Sequence, residues 1–212
     1  RVLRALRFES TDRVPVVGGF VRHPEFLASA AGTSVQAFWD APQYVAIEAF
    51  RRMGADVVLA LILPDRNSAT GAQVGYRRQT EFGSPEDVRD YAMALPEPER
   101  ATEDVDTAAA QDRYVREVTQ GQAACGEMLW IPNGVDRFCV TFDHCSRFGY
   151  ENYILALTLY PEAMERLFAF DAARTAAVNR AVADATRDNG LLPVVWTGSD
   201  ACDNRGPFVA PE

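Results

Sequence analysis

The sequence predicts a protein of the α/β class, built around parallel strands. Along the 212 residues, short apolar runs alternate with stretches of helical periodicity, a pattern typical of βαβ units. After Asp56 the chain is apolar without interruption to Leu63, as expected for a strand covered on both faces. A second apolar run, at 191–196, follows the clearest helical pattern at once. The alternation favours a parallel sheet or a barrel.

The first third of the chain carries the signals of short, closely spaced elements. Over 41–53 the apolar residues recur at helical spacing, and Gly54 fits the C-terminal stop of that helix. In chain order, the predicted elements up to residue 63 are a helix over 2–8, a turn at Thr11–Arg13, a strand at 14–18, a helix from Pro24, a helix over 41–53 and a strand at 55–63.

The rest of the chain carries stronger helix signals. Ser84 before Pro85 and two acids is typical of a helix start. Pro161 opens the clearest helix, and a Gly stops it at 190. The predicted elements are a helix from Ser84, a surface connection at 95–106, a helix over 108–119, a weaker strand at 123–131, a helix over 161–187 and a strand at 191–196.

Four predicted strands suit part of a larger fold. A (β/α)8 barrel has eight strands and takes about 250 residues or more. Half of such a barrel would leave sheet edges and apolar helix surface exposed. We therefore expect residues 1–212 to form a single TIM-barrel domain of which about the first half to two-thirds is present, the chain stopping inside a loop.

Composition excludes several classes of function. A net charge of −9 argues against a nucleic-acid-binding surface. No apolar run approaches the roughly 18 residues of a membrane span, so we expect no membrane partner. The four cysteines show no C-x-x-C pairing, and a reducing, cytoplasmic location is the expectation.

Barrel enzymes place their chemistry at the carboxyl ends of the strands, and this rule selects the candidate residues. We predict catalytic roles for Asp200, Asp65 and His23. Each has a structural alternative: Asp200 could cap a turn, Asp65 could belong to a Pro-Asp turn, and His23 could be a loop histidine with a backbone partner. The predicted substrate-binding residues are Phe20, Arg22, Asn133, Asn204 and Arg205, of which Arg22 could be a surface residue and Arg205 could position its loop.

Cys139, His144 and Cys145 lie close together in the sequence and raise the question of a metal site. Their spacing matches no usual zinc pattern and offers no fourth ligand, so we predict no metal ligands in this chain. The aromatic residues that follow could line an apolar face for a flat ligand, although such residues more often form core; they are Phe142, Phe148 and Tyr150.

Five segments carry motifs in a fixed order along the chain: 1–16 (RVLRALRFESTDRVPV), 51–58 (RRMGADVV), 84–91 (SPEDVRDY), 150–168 (YENYILALTLYPEAMERLF) and 198–212 (GSDACDNRGPFVAPE). Together these segments resemble the uroporphyrinogen decarboxylase superfamily, which also holds the corrinoid-linked methyltransferases. Residues 150–168 are similar to a helix pair of that family, and the closing segment is similar to its loop with an acid, a Gly-Pro pair and a final Pro-Glu.

The resemblance implies a URO-D-like TIM barrel enzyme and leaves its reaction open. The Arg-rich loop of the decarboxylases is not matched at 19–25, and the family's acid after strand two is displaced to Asp65. These departures favour the methyltransferase branch, which implies methyl transfer from a corrinoid protein to a thiol or similar acceptor. Zinc would then be held by ligands in a C-terminal part that this chain lacks. The alternatives are cofactor-free uroporphyrinogen decarboxylation in porphyrin biosynthesis, and a non-catalytic barrel that binds a corrinoid or tetrapyrrole.

Overall fold

The computed structural model describes residues 1–59, 61–64, 66, 80–134, 144–197, 202–203 and 206–207. This part of the chain is mixed α/β, with many helices and a small parallel sheet. It divides into two compact units. Unit 1 takes its described residues from Arg1–Ala69, Gln111–Gly134 and Asp184–Trp196, and unit 2 takes its own from Thr70–Ala110, Val135–Ala183 and Thr197–Glu212.

Helices and strands alternate along the described chain. The helices are α1 (Val2–Leu6), α2 (Pro24–Ala31), α3 (Val35–Asp40), α4 (Pro42–Arg52), α5 (Pro85–Ala94), α6 (Thr107–Cys125), α7 (Cys145–Phe148), α8 (Tyr150–Leu159) and α9 (Pro161–Asp188), with a 3-10 turn at Pro98–Arg100. The strands are β1 (Val17–Gly18), β2 (Val57–Leu59), β3 (Leu129–Ile131), β4 (Cys202–Asp203) and β5 (Gly206–Pro207).

The sheet of unit 1 is parallel, in the order β1-β2-β3. Val17 pairs with Val57, and Val57 in turn pairs with Leu129. Beyond β3, Asn133 forms a parallel bridge with Trp196, which places the chain after α9 next to β3. The order of the segments in space therefore follows their order in sequence. In unit 2, β4 and β5 pair antiparallel.

The two faces of this sheet have different neighbours. On one face, Val58 and Trp130 are buried in a core with residues of α2, α3 and α4 and the end of α6. Gly18 lies on this face as well, because a Cβ there would lie 2.7 Å from the Phe50 ring of α4. On the other face, Val57 and Ile131 form a separate cluster with Val2 of α1, against which further residues pack: Leu59, Leu129, Val194 and Trp196.

Unit 2 has a helical core of its own. Val88 and Ala92 of α5 pack with Tyr153 and Ala156 of α8, and all four side chains are fully buried. Phe82 packs edge-to-face on Phe148, with ring centroids 4.8 Å apart. The remaining core residues come from the first turns of α9: Ala163, Met164 and Leu167. The predicted cap at Ser84 is confirmed, and it is part of a capping box in which Ser84 and Asp87 exchange hydrogen bonds at the start of α5.

Most predicted helices are confirmed, whereas all four predicted strands are longer than the strands observed. The predicted strand 14–18 is reduced to Val17–Gly18, and within the described residues the predicted strand 55–63 is reduced to Val57–Leu59. The predicted strand 123–131 begins instead as the last turn of α6, and only Leu129–Ile131 is strand. The Gln122 side chain makes this tight connection: Nε2 donates to the carbonyls of Gly126 and Met128 at 2.9 Å, and Oε1 accepts the Trp130 N–H at 3.0 Å.

The predicted strand 191–196 is reduced to the bridge at Trp196. Val194 N–H donates to the Leu192 carbonyl at 2.9 Å, so the backbone turns locally, and Pro193 has no N–H to give to a neighbouring strand. Two short helices, α3 and α7, were not predicted from periodicity. The expectation of one domain over 1–212 stays a prediction. Within the described residues, no helix has both the length and the apolar composition needed to cross a membrane.

Candidate functional site

The carboxyl end of the sheet in unit 1 brings the loop after β1 against β2. Gly19, the first residue after β1, has a φ of +130°. A Cβ at this position would lie 2.0 Å from the carbonyl oxygen of Leu59, at the end of β2. Both the φ and the close approach require glycine. The loop that carries the predicted residues Phe20, Arg22 and His23 therefore starts from a fixed point at this edge.

Phe20, Asn133 and Trp196 meet at the same edge. The rings of Phe20 and Trp196 lie edge-to-face, with centroids 5.5 Å apart, a favourable aromatic geometry. Trp196 is held by backbone: its N–H donates to the Pro132 carbonyl at 3.1 Å, and its carbonyl accepts the Gly134 N–H at 2.7 Å. Phe20 is 50% exposed. The structure thus brings together two predicted substrate-binding residues and one tryptophan that sequence reasoning had read only as part of a strand.

His23 has the structural contacts of a helix cap. Its Nδ1 accepts the Phe26 N–H at 3.4 Å at the start of α2, and the same nitrogen lies 3.1 Å from Glu25 Oε2. These contacts fit the alternative of a loop histidine with a backbone partner, and its catalytic role stays a prediction. Arg22 is exposed, and no hydrogen bond or ion pair joins it to another described residue.

The other predicted site residues lie outside the described part of the chain. These are Asp65, Asp200, Asn204 and Arg205, together with Cys139 and Phe142. Their predicted roles are neither supported nor contradicted by the geometry. The carboxylates that the predicted chemistry requires are therefore not among the residues whose positions we describe, and the visible site consists of aromatic, amide and cationic side chains.

A charged cluster lies at the opposite, amino end of the sheet. Asp56, just before β2, accepts the Val16 N–H at 2.9 Å and lies 2.7 Å from Arg13 Nη1. Arg1 pairs with Asp56 and with Asp12. The cluster borders an open cavity of about 900 Å³, whose lining includes Arg1, Asp12, Asp56, Arg51, Gln122 and Glu127.

The Asp56 cluster holds strands together. The hydrogen bond from the Val16 N–H, followed by the charges of Arg1 and Arg13, outweighs partial burial and holds the pKa of Asp56 below its ordinary value. Because parallel α/β sheets bind their ligands at the carboxyl ends of the strands, which is the other end of this sheet, we assign this cluster a structural role. In the sequence, these residues lie in two segments that resemble family motifs, at 12–13 and 54–56. Nothing in either segment indicates that their side chains pair.

Unit 2 pairs a histidine with an aspartate. His144 Nε2 lies 3.3 Å from Asp171 Oδ2, and the two side chains are 12% and 26% exposed. Phe148, which was considered as a ligand-facing residue, is fully buried in the core of this unit, so the core alternative is confirmed for it. Sequence reasoning weighed His144 only as a metal ligand, and nothing in the local pattern pointed to Asp171.

The described residues offer no metal centre. No group of three or more histidine, cysteine or acidic side chains that could hold a metal ion is found among them. The zinc that the family resemblance implies therefore receives no ligand set from this part of the chain. Cys125 is fully buried, and burial raises the pKa of its thiol to about 11, which leaves it protonated and unreactive at neutral pH.

Comparison of this chain with protein-family models, with curated proteins and with solved structures finds no match.

Proposed function

We propose that this chain is part of a (β/α)8 barrel of the uroporphyrinogen decarboxylase superfamily. The distribution of residues on the two faces of the sheet supports a barrel. Residues of α2, α3, α4 and α6 join the core on one face only. The cluster on the other face draws its described members from the strands, the segment before Trp196 and Val2 of α1. In a barrel the helices that follow the strands lie outside and strand residues pack on one another inside, whereas in a doubly wound sheet such connecting helices lie on both faces. The helix α1 precedes β1 and is not one of these connecting helices.

The proposed ligand site is the carboxyl edge of this sheet. Its supporting observation is the contact between Phe20 and Trp196, which come from opposite ends of the strand order. The loop after β1 lies against the end of β2 at Gly19, and Phe20 in this loop reaches Trp196 with ring centroids 5.5 Å apart. The two rings form an aromatic surface at this edge. Such a surface, with Asn133 and Arg22 at the same edge, suits a large flat ligand that carries polar or anionic groups.

The activity that we propose is methyl transfer from a corrinoid to a thiol or similar acceptor. In this proposal Phe20 and Trp196 provide apolar contact, Asn133 provides an amide hydrogen bond, and Arg22 provides a positive charge. Zinc, when bound by ligands elsewhere in the whole protein, would supply an activated thiolate as the nucleophile. No step is assigned to the residues described here beyond binding and orientation.

The experiment uses the longest natural protein that contains this chain. Methylcobalamin and a thiol acceptor are added, and loss of the methylcobalt absorbance is followed with and without protein. Turnover that falls in Asn133→Ala, with folding unchanged, is the expected result. Release of carbon dioxide from uroporphyrinogen without methylcobalamin turnover would replace methyl transfer by decarboxylation. Binding without either reaction would leave only a binding barrel.

A further inference from the structure

His144 stands at the start of α7 and organises that helix. Its backbone carbonyl accepts the N–H groups of Arg147 and Phe148, each at 3.0 Å. Its ring lies among the rings of Phe148, Tyr153 and Phe168, with centroids 5.8 to 5.9 Å away. With a side chain only 12% exposed, His144 joins the short helix α7 to the aromatic core of unit 2.

The polar contact of this ring is with α9. His144 Nε2 lies 3.3 Å from Oδ2 of Asp171, and Asp171 is itself mostly buried. Burial raises the pKa of Asp171, while the charges of His144, Arg147 and Arg174 act in the opposite direction. A carboxylate in such a place is stabilised when its nearest neighbour carries a positive charge.

The other charged groups near the pair are already engaged. Arg147 of α7 donates to the Tyr91 hydroxyl of α5 and stacks over the Tyr91 ring at 4.4 Å. Arg174 of α9 pairs with Asp104 and donates to the Ala101 carbonyl at 3.0 Å. Tyr153 of α8 faces His144 with its ring. Arginine stays charged at neutral pH, whereas imidazole is the side-chain group that ordinarily changes its charge there, so we attribute pH dependence at Asp171 to its contact with His144.

We propose that the ion pair between His144 and Asp171 is a pH-dependent link, here called the tie, between α7 and α9. The tie is closed, with the two side chains paired, when His144 is protonated. It is open, with α7 less firmly held against α9, when His144 is neutral. The direction of the pH effect follows from the linkage between protonation of His144 and closure of the tie. The protonated imidazole is attracted to the Asp171 carboxylate in the folded unit and has no such partner in the open state. Protonation and closure therefore favour each other, and closure weakens as the pH rises through the range in which imidazole loses its proton, about 6.5 for an unperturbed histidine.

The size of the effect is that of a single linked proton. Each tenfold difference in proton affinity between the closed and open states changes the closing equilibrium tenfold. A partly buried pair at 3.3 Å suits a change of about three- to tenfold. This inference is independent of the function proposed for unit 1, since it uses residues of unit 2 alone.

Hydrogen exchange at the amides of Arg147 and Phe148 tests the tie, because both donate to the His144 carbonyl. Protection is measured on the full chain between pH 5.5 and 8 and corrected for the intrinsic exchange rate. We expect it to fall about three- to tenfold across this range. In His144→Gln, which keeps a polar side chain without a titrating charge, the fall should disappear. His23→Gln removes the other of the two histidines in the sequence. In this variant the protection of the Arg147 and Phe148 amides should fall with pH as it does in the unchanged protein.

Asp171→Asn provides an independent variant in case His144→Gln does not fold. It keeps an acceptor of the same shape but removes the charge, so protection should no longer fall with rising pH. The proposal is overturned if corrected protection in the unchanged protein is constant from pH 5.5 to 8. It is equally overturned if the fall persists undiminished in whichever of the two variants folds.

Discussion

At the scale of single residues, Asp56 connects the start of β2 to the chain before β1. One carboxylate accepts a backbone N–H from the chain before β1 and meets two arginines, and its side chain is only 11% exposed. The contacts link the turn at Asp12–Arg13 to the strand that follows Gly54. A residue that looks like an ordinary strand-flanking acid thus fixes the neighbouring strand in register.

Replacing Asp56 by Asn should destabilise the protein at neutral pH by about 1–3 kcal/mol, since the Val16 N–H then loses its charged acceptor and two arginines lose their carboxylate partner. Because the folded-state pKa of Asp56 is lowered, its contribution is present above the ordinary carboxyl range and is lost as the pH falls below about 4. Urea unfolding of both proteins at pH 7 and at pH 3.5 measures the difference, which should shrink at the lower pH.

Asp12→Asn is the matched control for this prediction. Asp12 shares Arg1 with Asp56, but its side chain is 67% exposed, so its loss should have a smaller effect. Equal destabilisation by the two substitutions, or a difference between Asp56→Asn and the unchanged protein that stays the same at both pH values, would contradict the structural role assigned to Asp56.

At the scale of elements, the connection from α6 to β3 depends on close packing. Gly121 lies on the side of α6 that faces Trp130, and a Cβ there would lie 2.4 Å from the Trp130 ring. The next residue, Gln122, holds the turn through three hydrogen bonds. The end of α6 and the start of β3 are therefore held together by close packing and by these hydrogen bonds.

Gly121→Ala should lower the free energy of unfolding by about 1–3 kcal/mol because it overpacks this contact. The sign is informative, since the same substitution inside an exposed helix stabilises a protein by up to about 1 kcal/mol. Thermal and urea unfolding measure it. Thr119→Ala, at an exposed position of the same helix, is the control and should have little effect. A Gly121→Ala protein as stable as the original would show that Trp130 does not pack as described.

Element starts were predictable where the signal is local. Pro24, Ser84 with Pro85, and Pro161 each begin or cap a helix as predicted, because caps and first-turn prolines act within a few residues. The strand at 123–131 was misplaced because an apolar run at a helix end looks like a strand. The boundary between α6 and β3 is set there by the Gln122 side chain and its contacts with Trp130. These contacts depend on the fold and cannot be inferred from the apolar run.

At the scale of the whole molecule, the sequence predicts a parallel sheet but only part of the site. Parallel strands follow from the alternation of strands and helices. Their order in space does not follow from it, because such alternation produces both sequential and non-sequential strand orders. Phe20 and Asn133 were selected because they follow strands, and both lie at the described edge. Trp196 was not selected, because its contact with Phe20 joins residues 176 positions apart and depends on how the loop after β1 packs at this edge.

The same limitation applies to His144 and Asp171. They lie 27 residues apart, on two different helices, and their pairing depends on how α7 and α9 pack in the core of unit 2. No periodicity connects them. Predictions from sequence therefore succeed in this protein for features fixed by neighbouring residues, and fail for pairs that only the packing of elements brings together.

A binding titration tests the proposal that the carboxyl edge of the unit 1 sheet binds a large flat ligand. Methylcobalamin is titrated into the longest natural protein that contains this chain and into two variants, Phe20→Ala and Phe26→Ala. The two phenylalanines are 50% and 48% exposed, but only Phe20 contacts Trp196 at this edge.

We expect Phe20→Ala to weaken binding by about tenfold, the loss of one good aromatic contact with its buried area. Phe26→Ala should leave the dissociation constant within about twofold of the original value. No binding by the unchanged protein, with uroporphyrin also failing to bind, would contradict the proposal. So would equal affinity of the two variants, because the ligand would then lie away from the edge at which Phe20 and Trp196 meet.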